Sequence, residues 1–242
     1  MRIKIEFSAT DQLIPNNQWV VTSYFNDLLG ENNEYHGKSG NYHISHLCGG
    51  KLTKDKRHLQ FNDEHQPFFL VTSNDMAFMS NVLMRLITTK PNLGYGTAFK
   101  DVKHINEQFY NGLNHFFVLS PVLLKDKESN KFVNIKSKDD TGAFTINNGE
   151  YAEKLKANII NKFSKIDPSL DFKDFDLKID FKGCKVFDMM YKHIVNPSST
   201  YQITLNTNKK VAELIYSIGL GKSTNCGFGT IYKTENHEFY RF

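Results

Sequence analysis

The 242-residue sequence has few cysteines: Cys48, Cys184 and Cys226 are the only three, and they lie far apart. An odd number at these spacings excludes a disulfide framework, a CxxC redox motif and a zinc knuckle. We therefore expect three reduced, structural thiols and no metal site built on them.

The sequence also lacks a long apolar run and a large net charge. No segment approaches the roughly 18 or more apolar residues of a membrane-spanning helix, and residues 1–7 alternate instead of forming a signal-peptide block. Lys and Arg number 30 against 26 Asp and Glu, a formal net charge of +4. We expect a cytoplasmic protein without a membrane partner. The net charge alone does not indicate a nucleic-acid partner.

Aromatic rings are abundant, with 20 Phe and 11 Tyr, and hydrophobic residues make up 40% of the chain. This composition excludes a disordered or coiled-coil protein and supplies enough apolar surface for a core. The length fits one large domain or two of ordinary size, since domains typically have roughly 100–200 residues.

Two segments of the chain share one order of features. In residues 66–97, a predicted strand is followed by a capped helix and by the sequence GYGT. In residues 201–230, a predicted strand is followed by a capped helix and by GFGT. The helix caps are expected at Ser73-Asn74 and at residues 206–208. This order indicates an internal duplication, although a four-residue similarity also arises by coincidence.

With the other predicted elements, each half has the order strand, helix, strand, strand, helix, strand. This is the βαββαβ order of ferredoxin-like domains, which also occurs in RNA-binding sheets. The sequence therefore predicts an α+β protein of two tandem ferredoxin-like (RRM-like) domains, residues 1–110 and 111–242. The polar residues 125–149 are expected to form a hairpin or a loop inside the second domain.

A glycine-rich segment, residues 219–231, is the strongest local signal. Its four glycines permit positive φ angles, so that consecutive N–H groups can converge on a phosphate, and Lys222 adds a cation. A P-loop is excluded because Tyr216 occupies the position of its first glycine, and a dinucleotide fingerprint because Thr224 replaces its third. We therefore expect no cofactor. The alternative is a tight turn that joins the last helix to the last strand.

The pattern GxGxSxxxGFGxh, where h is hydrophobic, resembles the C-terminal loop of the CRISPR-associated endoribonucleases that cut precursor CRISPR RNA. The similarity extends to the N-terminal strand, the first helix, Tyr35-His36 and residues 118–121. It implies two ferredoxin-like domains with RNA bound over the cleft or the basic face between them. The residues expected to bind RNA are Gly219, Gly221, Lys222, Ser223, Gly227, Phe228 and Gly229, together with Lys51.

Residues 35–51 contain three histidines and two lysines. Metal-free RNA cleavage needs a base, an acid and a cation, and histidine suits the first two roles at neutral pH. The resemblance places the family's usual catalytic histidine on His36, with His43 as an alternative. The family's helical tyrosine falls near Phe25, beside Tyr24, and its lysine falls at Asn41, close to Lys38.

Together with the histidine-rich segment, the resemblance implies a metal-independent endoribonuclease that cuts single-stranded or hairpin CRISPR repeat RNA. Attack by the ribose 2′-OH would leave a 2′,3′-cyclic phosphate and a 5′-OH. The catalytic candidates are His36, Lys38, Tyr24 and His43. The alternative is a non-catalytic RNA-binding subunit of a CRISPR effector complex, and either protein would be a monomer or a homodimer.

Overall fold

The computed structural model describes residues 1–30, 35, 42–55, 57–126, 129, 131–133, 135–138, 144–146, 148–191 and 194–233. None of the helices in these ranges combines the length and apolar character needed to cross a membrane.

The first half of the chain forms a four-stranded antiparallel sheet with two helices. The sheet order is β3-β6-β1-β7, and β2, β5 and β4 form a small separate sheet. The elements are β1 (Arg2–Ser8), β2 (Gln12–Pro15), α1 (Trp19–Leu29), β3 (His43–Ile44), β4 (Lys51–Leu52), β5 (His58–Phe61), β6 (Phe68–Thr72), α2 (Met76–Thr89) and β7 (Ala98–Ile105).

The second half repeats this arrangement in the order β11-β12-β8-β13, again antiparallel. In both halves the first strand therefore lies between the third and fourth of the βαββαβ unit, which confirms the predicted tandem ferredoxin-like fold. Strands β9 and β10 pair as a hairpin within the polar segment. The elements are β8 (Gly112–Val118), β9 (Lys136–Lys138), β10 (Phe144–Ile146), α3 (Asn148–Ile166), β11 (Asp176–Tyr191), β12 (Ile194–Thr207), α4 (Lys209–Ile218) and β13 (Ile231–Lys233).

The helix caps follow short-range hydrogen bonding. Helix α4 begins after Asn208, whose side chain accepts a hydrogen bond from the Val211 N–H at 2.9 Å, within the predicted cap. Helix α2 begins after Asp75 rather than after Ser73-Asn74, because the Asp75 carboxylate accepts from the Phe78 N–H at 3.0 Å. Ser73 in turn accepts from the Asp75 N–H.

Alternation along the strands places the cores. Ile3, Ile5 and Phe7 of β1 pack in the core of the first half with residues of α1 and α2. On β6, Phe68 and Leu70 belong instead to a cluster shared with the second half. The chain passes from β7 to β8 through residues 106–111, the segment in which the domain boundary is predicted. The second core contains residues of α3, α4 and the sheet, among them Leu155, Ile159, Phe163, Val211, Ile215, Ile203 and Leu205.

Candidate functional site

The glycine-rich loop connects α4 to β13, and its glycines are required by the protein's own packing. Gly219, Gly221, Gly227 and Gly229 have φ angles of 78°, 69°, 92° and 74°. A Cβ at Gly229 would overlap the carbonyl oxygen of Leu220. The same two residues are hydrogen-bonded, since the Leu220 N–H donates to the Gly229 carbonyl at 2.9 Å. The loop therefore has the predicted positive φ angles, and it is also a tight turn between the last helix and the last strand.

The exposed part of the loop is its apex, Lys222 and Ser223. Ser223 has a left-handed φ of 57° and leads into a 3₁₀ turn over Thr224–Cys226. The N–H groups of Ser223, Thr224 and Asn225 donate to no acceptor in the part of the chain that the structure describes. Three successive backbone donors beside the Lys222 ammonium form a surface suited to a phosphate.

Lys162 of α3 supports the apex from inside the second half. Its Nζ donates to the carbonyl oxygens of Gly219 and Gly221, each at 3.1 Å. Burial lowers the pKa of the Lys162 ammonium to about 7. The ammonium therefore fixes the orientation of both peptide groups that precede the apex.

Arg2 of β1 holds both ends of the loop from the first half. Its guanidinium donates to the carbonyl of Tyr216 at 2.7 Å, before the loop, and to the carbonyl of Ile231 at 2.6 Å, after it. It also donates to Thr72 Oγ1 at 2.8 Å and lies 3.5 Å from the centre of the Tyr216 ring. The position of the loop therefore depends on how the two halves pack.

His43 lies beneath the loop and is fully buried. Its Nε2 lies 2.6 Å from Thr230 Oγ1. Burial, reinforced by the charges of Arg2 and Lys162, holds the pKa of His43 well below the usual value, so the ring is neutral. A buried neutral imidazole cannot reach a ribose or a leaving oxygen in this structure. In this structure His43 supports the loop, and its alternative assignment as a catalytic residue stays a prediction.

Tyr24 lies in the core of the first half. Its ring packs against Phe7 and Phe69, with centroid distances of 5.3 and 5.5 Å, and its hydroxyl donates to the Pro91 carbonyl at 3.4 Å. Burial raises the pKa of the Tyr24 phenol. These contacts do not include the glycine-rich loop, so the structure does not bring Tyr24 together with the loop apex.

The other two catalytic candidates, His36 and Lys38, lie outside the described residues. The described neighbours of that segment are Tyr35 and Tyr42, whose rings lie 4.7 and 5.0 Å from the Phe78 ring of α2. Tyr42 directly precedes His43 in the chain. One of these neighbours therefore packs on α2, and the next contacts Thr230 of the glycine-rich loop.

Phe228 is buried rather than available for stacking. It is 1% exposed and packs with Leu123 and Met189, while the His46 ring lies 5.9 Å away. The structure gives Phe228 a position in the core, and the prediction that it contacts RNA stays a prediction. Lys51 is exposed at the start of β4, where it pairs with Gln60.

The glycines expected to contact RNA are themselves buried, so close packing within the protein accounts for glycine at these positions. A Cβ at Gly221 would overlap the Leu123 carbonyl, and one at Gly227 would overlap the Gln18 side chain. They are needed because the loop folds tightly against the protein, and this packing presents Lys222 and Ser223. Among the described ranges, no three His, Cys, Asp or Glu side chains group as metal ligands.

A family model described as CRISPR associated protein Cas6, C-terminal, matches residues 104–232, which is more than half of the chain. The chain belongs to the Cas6 family. The predicted resemblance is thereby confirmed. No curated protein matches the chain.

Solved structures described with the Cas6 name share the fold over nearly the full length. One, described as CRISPR associated protein Cas6, has a TM-score of 0.74 and 19% identity and covers 97% of this chain and 99% of that chain. The product of a Cas6-related gene from Pyrococcus furiosus has a TM-score of 0.76 and 16% identity, covering 98% and 99%. A RAMP protein described as binding different RNA substrates has a TM-score of 0.75 and 17% identity, covering 96% and 99%. At these identities the likeness shows the fold alone.

The Cas6 match divides the candidate residues into two groups. The matched range contains the whole glycine-rich loop and Lys162. The four catalytic candidates and Lys51 precede it, so their roles in this Cas6-family chain stay predictions.

Sequence reasoning missed Arg2, Lys162 and Gln18. Arg2 occupies a charged position on the alternating strand β1, which suggests an exposed side chain until the second half is in place. Of the three, Lys162 has the clearest sequence context, because it adjoins Phe163 on the apolar face of a predicted helix. A lysine beside an apolar stripe usually extends to solvent, so its inward contacts are not apparent from spacing.

Proposed function

We propose that this chain binds CRISPR repeat RNA and cuts it within the repeat to produce guide RNAs. The observation that carries the proposal is the apex of the loop, where Lys222 and Ser223 are exposed and three successive backbone N–H groups have no acceptor among the described residues. Membership of the Cas6 family supports RNA as the ligand. Backbone phosphate contacts position the RNA, and base contacts elsewhere supply sequence preference.

The proposed cleavage uses the ribose 2′-OH as the nucleophile. A base removes its proton, the 2′ oxygen attacks the adjacent phosphorus, and the bond from phosphorus to the 5′ oxygen breaks as that oxygen takes up a proton. The products are a 2′,3′-cyclic phosphate and a 5′-OH. His36 is assigned the proton transfers, because an unperturbed histidine has a pKa of about 6.5 and exists in both forms near neutral pH.

Lys38 is assigned the stabilisation of negative charge on the phosphorane, a role for which a nearby cation is suited. His43 is not assigned a step because its ring is buried and neutral. Tyr24 is not assigned a step either, because its side chain is buried in the core of the first half. A catalytic role for Tyr24 would require RNA to reach its side of α1.

The test is a single-turnover cleavage assay with the purified chain and repeat RNA in EDTA. We expect cutting to continue in EDTA, to stop with a 2′-deoxy nucleotide at the cut site, and to slow by about 10²–10⁴-fold in His36→Ala. The exposed His104 of β7 provides a control, His104→Ala, that is expected to cut normally. Loss of cutting in EDTA would refute metal independence, and full activity of His36→Ala would remove His36 from the chemistry.

A second candidate function is RNA binding without cleavage, as a subunit of a CRISPR effector complex. Two of the four catalytic candidates, Tyr24 and His43, are buried, and a protein that binds RNA without cutting it needs no accessible catalytic side chains. It predicts tight binding of repeat RNA by the purified chain with no cleavage under any of these conditions. It also predicts that His36→Ala leaves the affinity for RNA unchanged.

A further inference from the structure

A cavity of about 420 Å³ lies between α1 and the C-terminal end of α2, and the residues that line it lie outside the glycine-rich loop. The segment that follows α2 closes one side of it, through residues 91–95. The volume lies within the range of about 300–1,000 Å³ that is typical of small-ligand pockets. Of the described residues assigned a role above, only Tyr24 lines this cavity.

Two exposed aromatic side chains line the cavity. Trp19, at the start of α1, is 37% exposed, and Tyr95 is 50% exposed. Tyr95 has a left-handed φ of 54° and lies between Gly94 and Gly96, which also have positive φ angles. A tyrosine held in this conformation costs free energy, and such strain is typical of residues that serve a function. Exposed rings at the edge of a cavity are the usual platforms for unstacked bases.

Hydrogen-bonding groups of both kinds line the same cavity. The Arg85 guanidinium donates through Nη1 to the Leu28 carbonyl at 3.1 Å and through Nε to Asn81 at 3.2 Å. Its Nη2 donates to no acceptor in the described ranges of the chain. Asp27 is exposed beside it and contributes a carboxylate acceptor.

We propose that this cavity binds one unpaired nucleobase between Trp19 and Tyr95, and that guanine matches it best. Guanine presents N1–H and N2–H donors, which suit the Asp27 carboxylate, and O6 and N7 acceptors, which suit Arg85. Adenine has no pair of adjacent donors on its pairing edge, and the pyrimidines offer less surface for stacking.

The cavity is adjacent to the proposed RNA path. Gln18 precedes Trp19 and packs against Gly227 of the glycine-rich loop. The Trp19 ring also lies 6.0 Å from the Tyr191 ring of β11. A base leaving the strand near the loop therefore meets α1 at its first residue. As an RNA subsite the inference rests on the proposed function, while binding of a free nucleotide does not.

Trp19 is the only tryptophan, so its fluorescence reports on the cavity directly. The purified full-length chain is titrated with GMP, AMP, CMP and UMP, and tryptophan emission is followed. We expect a saturable change with GMP and a dissociation constant about 10-fold larger for AMP. No saturable change with any of the four nucleotides, together with unchanged RNA affinity in Tyr95→Ala, would overturn the proposal.

Three variants separate the base pocket from general effects. Tyr95→Ala is expected to weaken GMP binding by about 10-fold through the loss of stacking, and Asp27→Asn is expected to remove the preference for GMP over AMP. Tyr110→Ala is the matched control, because Tyr110 is 54% exposed and lies outside the cavity. A similar loss in Tyr110→Ala would contradict the assignment.

Affinity for repeat RNA distinguishes the source of the base. If Tyr95→Ala weakens both GMP and RNA binding, the base belongs to the RNA. If it weakens GMP binding alone, the cavity binds a free nucleotide. If the wild-type chain binds GMP but no repeat RNA, the proposed function fails while the pocket stands.

Discussion

The two related tetrapeptides, GYGT at residues 94–97 and GFGT at residues 227–230, follow the second helix of their respective domains but have opposite environments. Phe228 is 1% exposed, whereas Tyr95 is 50% exposed. Thr230 Oγ1 lies 2.6 Å from the ring of His43 in the other half, whereas Thr97 Oγ1 donates to Gly94 within its own turn. One sequence pattern thus forms an interface in the second domain and an open turn in the first.

The difference comes from what each turn packs against. The second turn packs against Gln18 and His43 from the first half. Arg2 and Lys162 donate to carbonyls of the segments on either side of it. The first turn has solvent and a cavity beside it. The enclosed turn fixes the segment that carries Lys222 and Ser223, while the open turn leaves an aromatic ring exposed.

Matched glycine substitutions test this comparison with the largest expected effect. Gly229 and Gly96 have nearly equal φ angles, 74° and 76°, so the backbone cost of alanine is similar. At Gly229 the new Cβ overlaps the Leu220 carbonyl, whereas at Gly96 it meets the flexible Gln12 side chain at 3.2 Å. We expect Gly229→Ala to lower the free energy of unfolding by about 4 kcal/mol and Gly96→Ala by about 1–2 kcal/mol. Urea denaturation measures both, and equal losses would mean that the two turns are equally enclosed.

Matched arginine substitutions test whether the second turn depends on the other half. Arg2→Met leaves the carbonyls of Tyr216 and Ile231 without this donor, and we expect a loss of about 3 kcal/mol in unfolding free energy. Arg85→Met removes a similar contact to the Leu28 carbonyl within the first half, at a half-buried site, and about 1 kcal/mol is expected. Unfolding free energy is the readout for this pair, because Arg85 also lines the proposed base pocket. A larger loss of stability in Arg85→Met than in Arg2→Met would show that contacts between the halves do not hold the loop.

The fold was predictable because its signals are local. The alternation of Ile3, Ile5 and Phe7 and the cap at Asn208 depend on residues close in sequence, and both agree with the structure. The start of α2 was placed too early because Ser73, Asn74 and Asp75 are all good caps. Only the backbone geometry selects Asp75.

The site was less predictable because burial depends on how the halves pack. Spacing identified the glycine-rich loop, but it did not show that Phe228 faces the core or that His43 lies beneath the loop. The same packing turns Arg2, a charged residue on an alternating strand, into a buried contact. Long-range contacts of this kind have no period in the sequence.

Replacement of Lys162 tests the support of the loop apex through the pH dependence of stability. The pKa of Lys162 is about 7 in the folded chain, against about 10.4 for an unfolded lysine. Between these values the unfolded chain binds more protons, so unfolding free energy should rise with pH from about 7 to 10, by at most about 1.4 kcal/mol per pH unit. Lys162→Met should remove this rise and weaken RNA binding several-fold, because the Gly219 and Gly221 carbonyls lose their donor.

Lys165→Met is the control for Lys162→Met, since Lys165 lies on the same helix with an exposed side chain. RNA affinity is compared at about pH 6, below the Lys162 pKa of about 7, where both substitutions remove a charge. Lys165→Met should keep both the pH dependence and the RNA affinity. If the two variants weaken RNA binding equally, Lys162 acts through its charge alone. If only Lys162→Met does so, the ammonium acts by orienting the peptide groups that precede the apex, which an open turn such as GYGT does not require.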